Sequence, residues 1–328
     1  MTAAKALAIV GLSALLAAPP AGVSQTPGRT LRIGILDDAS ETARAHRWQV
    51  FRARLRELGY IEGKNLAIEA RYARRANERL PALATELVAL KPDIIVTAAT
   101  PPSLAVIKAT SSIPIVFTGV ADPVATGLVA SFGRPGGNAT GLSIITPELG
   151  TKWIELLREL APGAKRVAYL TDTGSEGGVL VFTRMRDEAR KLDVTVEMFG
   201  GQQPKELERS FEAIARERFA GLIVGASARL SDHRLQIVQF AAQHKLPTIY
   251  AQREYADAGG LLSYAPDLDS MYRRAAEYVH RIAQGAKPAD MPVERPSTIR
   301  MVLNLKTSRA LGIPIPSSIR HRADELID

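Results

Sequence analysis

The sequence predicts an α/β protein of two lobes, each with a parallel sheet flanked by helices, and three observations carry that prediction. Short apolar runs of strand length alternate with amphipathic stretches of helix length along nearly the whole chain. The order of these units before residue 134 is echoed after residue 166, with Ile113-Pro114-Ile115-Val116-Phe117 matched in position by Leu246-Pro247-Thr248-Ile249-Tyr250. Three stretches rich in Pro and Gly, near 134–141, 257–265 and 286–298, interrupt the alternation where a chain would pass between lobes.

The elements follow in order. Met1 to Ser24 is set apart from the fold: Lys5, an apolar run from Ala6 to Ala18, then Pro19-Pro20 and small residues have the shape of a secretory signal cleaved before Gln25. The run falls short of the ~20 apolar residues that span a bilayer. Leu31 to Leu36 is a strand, and Trp48, Phe51, Leu55 and Leu58 mark one face of a helix stopped by Gly59. A second strand, Leu66 to Tyr72, precedes a helix marked by Leu80, Leu83, Leu87 and Leu90 and ended before Pro92. The continuous run Asp93 to Thr97 suits a strand buried on both faces; a helix from Pro101 to Thr110 and a strand from Ile113 to Phe117 follow. Asp122-Pro123 then turns the chain into a small helix, and Arg134-Pro135-Gly136-Gly137-Asn138 is read as a hinge.

The second half repeats the rhythm. Trp153, Leu156, Leu157 and Leu160 mark a connecting helix, and Arg166 to Leu170, Val194 to Met198, Gly221 to Val224 and Leu246 to Tyr250 are strands separated by helices. After Gly259-Gly260 come a short strand, Leu261 to Tyr264, and a helix with Met271, Ala275, Tyr278 and Ile282 on one face. Pro288 to Pro296 is extended, Ile299 to Leu305 is a strand, and Thr307 to Leu311 a short helix. Three crossings at the breaker-rich segments divide the chain into a signal (1–24), a first lobe (30–140 plus 265–296) and a second lobe (141–264 plus 297–328). Three parallel connections make a hinge that bends while keeping the lobes in register.

Composition narrows the function. The chain has 328 residues, 46% hydrophobic, enough for two cores. The absence of cysteine excludes disulfides, thiolate chemistry and a lipidated leader cysteine, so an exported chain is expected to be soluble in the periplasm. The net charge of +8 raises nucleic acid as a partner, but Arg52, Arg54, Arg56 and Glu57 typify basic residues scattered among acids, and no nucleic-acid partner is expected. His46, His233, His244, His280 and His321 show no metal-ligand spacing; no G-x-S-x-G elbow occurs, and Gly34 stands alone where a dinucleotide fingerprint would begin. No catalytic residue, metal or cofactor is expected, and the protein is read as not an enzyme.

In open parallel sheets, ligands sit beyond the carboxyl ends of the strands, where loops and helix N-termini converge. In the first lobe this selects Asp37, Asp38 and Ser40, then Thr97, Thr100 and Ser103, then Gly119 and Asp122. In the second it selects Asp172, Thr173 and Ser175, then Ser227 and Arg229, then Tyr250, Arg253 and Glu254, with Tyr264 near a crossing and able to close over a ligand. Thr100 and Ser103 serve equally as helix caps, and Asp122 before Pro123 suits a cap or turn. Arg253 could hold a carboxylate or pair with neighbouring Glu254. The hydroxyl-rich, helix-N-terminal loops of the first lobe suit an anionic group such as an amino-acid carboxylate.

A family resemblance rests on Glu57-Leu58-Gly59-Tyr60-Ile61-Glu62-Gly63-Lys64-Asn65, Leu80-Pro81-Ala82-Leu83-Ala84, Ile113 to Phe117, Asp122-Pro123-Val124, Gly127-Leu128-Val129 and Arg134 to Asn138 with Thr140-Gly141. It continues in Ala258-Gly259-Gly260-Leu261, Leu303-Asn304-Leu305-Lys306-Thr307, Ala310-Leu311-Gly312 and Arg322-Ala323-Asp324-Glu325. In these the chain resembles the substrate-binding proteins of ABC importers associated with tryptophan and tyrosine, which have a type I periplasmic-binding fold. The resemblance implies a monomer that binds a small molecule, an amino acid or related carboxylate, between its lobes and presents it to a membrane permease. A periplasmic sensor presenting its ligand to a receptor would need the same cleft, and a small-molecule enzyme on this fold is the third reading. The chain departs from the family in two cleft loops, Thr171 to Gly178 and Ser227 to Leu230, where an Asn-Pro loop and an Asp-Pro with an aromatic are common. Ligand identity therefore does not carry over.

Overall fold

The computed structural model describes residues 30–144, 148–174 and 176–328; the expected leader and Ser175 lie outside them. The first sheet forms from β1 (Leu31–Asp37), β2 (Leu66–Tyr72), β3 (Ile94–Ala98), β4 (Ile115–Val120) and β5 (Ala139–Ser143), paired in the order β2-β1-β3-β4-β5 and parallel throughout. Between them run α1 (Ala45–Glu57), α2 (Leu80–Ala89) and α3 (Thr100–Ala109). The expected apolar faces are buried: Trp48, Phe51 and Leu55 on α1, and Leu80, Leu83 and Leu87 on α2. β3 is buried along its whole length, as a central parallel strand between two helical layers must be.

The chain continues through α4 (Glu148–Leu160), β6 (Arg166–Thr171), α5 (Glu176–Lys191), β7 (Thr195–Gly200), α6 (Pro204–Arg216) and β8 (Gly221–Val224). Then come α7 (Ala228–Asp232), α8 (Arg234–Gln243), β9 (Thr248–Tyr250), α9 (Arg253–Asp257), β10 (Leu262–Pro266) and α10 (Leu268–Ala283). The chain closes with β11 (Ile299–Asn304), α11 (Leu305–Leu311), α12 (Ser317–Arg322) and β12 (Glu325–Ile327). The second sheet has the order β12-β11-β10-β9-β8-β6-β7 and is parallel except at β10–β11. That exception has a topological cause. β10 leads out of the second sheet, α10 packs on the first with Trp48 and Tyr272 edge-to-face at 5.1 Å, and β11 leads back.

Two expectations are corrected. The Asp122-Pro123 segment is a single helical turn rather than a helix, because Gly127 leaves the helical region at φ +72°. The breaker cluster Arg134–Gly137 is not a crossing. It closes a loop at the amino end of β5, with Ala130 N–H donating to Pro135 O at 2.9 Å and Gly136 N–H to Ala289 O at 3.3 Å. The boundary drawn between residues 140 and 141 thus cuts β5, which pairs with β4 as far as Ser143. Gly141 is required there: at φ +150° a Cβ would lie 2.0 Å from Phe117 O. The first passage to the second sheet comes after Ile144. The second, at Pro266–Asp267, lies beside the third: Asp267 N–H donates to Thr298 O at 3.0 Å, and Glu294 bridges to β5 by accepting from Ser143 N–H at 2.9 Å.

Candidate ligand cleft

Between the two sheets, at the carboxyl ends of their parallel strands, lies a cavity of about 690 Å³ walled by both. One wall is apolar and comes from the second lobe: Leu149 and Trp153 on α4, Tyr169 on β6, and Leu180 and Val181 on α5. Trp153 is fixed in this wall by its Nε1–H, which donates to Tyr264 O at 2.8 Å. Tyr169 is only 1% exposed, and burial pushes its phenol up to about 12, so it stays neutral. Gly225 leaves room for it, since a Cβ there would meet the Tyr169 hydroxyl at 2.6 Å.

The opposite wall is charged. β1 ends in Asp37, the turn after it carries Asp38, Arg44 caps α1, and Arg47 stands in its first turn. Asp37 has no exposure; its carboxylate accepts from Trp48 Nε1–H and Ala39 N–H, both at 2.8 Å, and pairs with Arg44. Burial pushes the Asp37 carboxyl up, and the Arg44 charge opposes that push. Burial works most strongly against the Arg44 charge, but Asp37, Tyr272 and Asp38 together outweigh it and raise the guanidinium further above its ordinary value. Arg44 therefore lines the cavity while its Nη1 is taken by Asp37, Asp38 at 2.8 Å and Ala98 O at 3.5 Å. Arg47 pairs across the cleft with Glu254 of α9, and Arg300 Nε donates to Asp267 at 2.9 Å where two crossings meet. Among the described residues no cluster of three His, Asp or Glu could hold a metal ion.

Of the residues selected from sequence, Glu254 lines the cavity, and so does Arg253. Its guanidinium turns away to Glu325, donating at 2.6 and 2.7 Å, and to Asp257 at 3.4 Å, so its ion pair is not with Glu254. Asp38 reaches the cavity only through Arg44. Ser40 accepts from Ala43 N–H and shapes the turn into α1. Thr97 and Ser103 share a buried hydrogen bond of 2.7 Å, and Ser103 also donates to Ala99 O. Thr100 accepts from Ala121 N–H at 3.2 Å, tying the loop after β3 to that after β4. Asp122 accepts from Val124 and Ala125 N–H, the local turn weighed for it above. Thr173 bonds Gln202, and Arg229, half exposed, reaches Asp172 at 3.5 Å. Tyr264 packs its ring on the core of the second sheet and offers only its carbonyl to Trp153. Ser175 lies outside the described residues.

Sequence reasoning missed Arg44, Arg47, Trp153, Ser263 and Asp267 as cavity residues. The rule of strand carboxyl ends held for the lobes as wholes, but these side chains stand one turn into a helix or on the crossings. Trp153 carried a usable signal, being an aromatic on the helix that follows the first crossing.

Two open α/β lobes joined by three chain passages, with a cavity where their strands end, define the type I periplasmic-binding class. The chain belongs to the ABC transporter substrate binding protein family, whose model matches residues 32–327. It is 26% identical over 259 residues to the tyrosine-binding protein of Clostridioides difficile, covering 79% of this chain and 74% of that one. Its structure is similar to that of an ABC domain from Streptococcus pneumoniae in complex with L-Trp, with a TM-score of 0.84 at 25% identity over 91% of this chain and 100% of the other. It is also similar in fold to the ligand-free, open structure of a substrate-binding protein with adhesive properties from Clostridium difficile. There the TM-score is 0.72 at 24% identity over 91% and 99% of the two chains.

Proposed function

We propose that this chain is the exported, periplasmic substrate-binding component of an ABC importer, taking an aromatic amino acid or a close relative into the cleft and presenting it to a membrane permease. The observation that carries the reading is the shared cavity: its volume of about 690 Å³ falls in the range of ~300–1,000 Å³ usual for small-molecule sites, and both lobes wall it. An indole or phenol ring suits the wall of Leu149, Trp153 and Val181, where aromatic rings gain from edge and offset contacts beyond their burial. The ligands named for the relatives, tyrosine and L-Trp, belong to that class.

The lobe arrangement supports closure as the working step. Arg47–Glu254 and Arg75–Asp232 join the lobes, and the chain superposes better on the L-Trp complex than on the open protein. A ligand touching both walls favours the closed form by its contacts there, and the three passages are the hinge. Export through the Met1–Ser24 leader completes the reading.

A thermal-shift screen of the chain from Gln25 onward tests it, against aromatic and aliphatic amino acids, organic acids, sugars and nucleosides. A true ligand at a hundredfold its Kd adds about 2.7 kcal/mol of stability. Stabilisation by tryptophan, tyrosine or a near relative is expected; stabilisation by sugars alone overturns the ligand class.

A further inference from the structure

Two polar atoms in the cavity wall have no hydrogen-bond partner among the described residues: Oγ of Ser263 and Oε2 of Glu254. Ser263 is 1% exposed and sits on β10, the strand that leads out of the second lobe. Strand alternation sends Leu262 and Tyr264 into the core of the second lobe, so Ser263 and Ala265 face the cavity. Glu254 stands on α9 with its two oxygens divided. Oε1 takes Arg47 of the first lobe, while Oε2 is out of solvent although the side chain as a whole is 35% exposed.

A buried acceptor left unpaired is costly, and more so when it is charged. A carboxylate oxygen can only accept, so what completes it is a donor, and a cationic donor gains most. Of the guanidiniums that line the cavity, four are committed, Arg44 to Asp37 and Asp38, Arg47 to Glu254, Arg253 to Glu325 and Arg300 to Asp267, while Arg184 lies exposed on α5 in the wall with Leu180 and Val181. What Glu254 Oε2 lacks is therefore a donor, and a cationic one suits a carboxylate oxygen best.

We propose that Glu254 Oε2 and Ser263 Oγ form the subsite for the ligand's ammonium group, an assignment that rests on the amino-acid reading above. Glu254 then does two things at once. One oxygen reads the amine and the other holds Arg47 of the opposite lobe, so an amine-free ligand closes the cleft over an unpaired carboxylate oxygen. The site thereby selects amino acids over the corresponding carboxylic acids.

Calorimetric titration of the mature protein with two matched series tests this: L-tryptophan, tryptamine and indolepropionate, and L-tyrosine, tyramine and hydroxyphenylpropionate. In the wild type, loss of the amine is expected to weaken binding by about tenfold to a hundredfold, the worth of a buried charged hydrogen bond. Glu254→Gln should bring the amino acid and its amine-free acid close to equal affinity, and Ser263→Ala should narrow the gap partway. Arg47→Met, which removes the cross-cleft pair but leaves Oε2, should weaken all members of a series alike. Wild-type protein that binds the amine-free acid as tightly as the amino acid overturns the subsite, as does a Glu254→Gln variant that keeps the wild-type ratio. Protein that binds no member of either series overturns the amino-acid reading and the subsite with it.

Discussion

Asp37 ends β1 with no exposure, and its carboxylate accepts from three donors: Trp48, Ala39 and Arg44. Removing it strands the Arg44 charge under Asp38 alone and leaves the Trp48 N–H unpaired. Breaking a buried pair from one side costs about 3–5 kcal/mol, so Asp37→Ala is expected to lower the stability of the first lobe by that order, read as a fall in the denaturant midpoint. A midpoint unchanged from wild type would mean that Arg44 finds other partners and that the turn after β1 does not depend on this pair. The residue scale is also where the sequence said least. Asp122 could be weighed in advance because a cap is a local matter, decided within three residues. Arg44 could not: nothing local separates it from the other Lys and Arg among the chain's 42, and its position is set by how the turn after β1 meets α1.

At the scale of elements, α10 reaches the first lobe only after the chain has built most of the second, and ion pairs fasten it to α1. Arg273 and Arg54 both hold Glu57, and Arg54 also donates to Glu277, which Arg274 meets from the next turn before reaching Glu294. The hydrogen bonds from Arg273 and Arg54 hold the Glu57 carboxyl down to about 2. At Glu294 the bond from Arg274 does the same in direction, and at Glu277 burial pushes up but the two arginines outweigh it. A carboxyl depressed in the folded state stabilises above its unfolded pKa and loses that contribution as pH falls through the folded one. The attachment of α10 should therefore weaken as pH drops from 4.5 towards about 2. Urea midpoints followed across that window should fall less steeply for Glu57→Gln than for wild type; equal slopes would remove Glu57 from the acid response. Strands and long helices were legible because their periodicity is a property of the segment itself. The first passage was misplaced for a physical reason: Pro-Gly-Gly marks a tight turn, whereas the passage after Ile144 carries no Pro-Gly cluster. Short α9 and β12 escaped notice because five and three residues are too few to show a period.

For the whole molecule, the question is what holds the lobes together. The repeated strand-helix order made two lobes legible, but closure depends on contacts between segments far apart in sequence. Arg75 is fixed by its own backbone, at φ +66° with its N–H on Asp38 O, and reaches Asp232 on the opposite lobe. Arg75 is 34% and Asp232 44% exposed, and such a pair contributes only about 0.2–1 kcal/mol. Turning a mainly open population into a mainly closed one takes about 5.5 kcal/mol. The cross-lobe pairs thus orient closure without enforcing it, and the ligand must supply most of the difference. Because the chain has no cysteine, Arg75→Cys with Asp232→Cys places the only two thiols across the cleft. Joined by a short bismaleimide, this variant should stay compact in solution scattering without ligand and release bound amino acid more slowly than the unjoined form, which should expand when ligand is removed. If the joined and unjoined proteins scatter alike in the absence of ligand, the cleft does not open in solution, and closure on the ligand is not how this protein works.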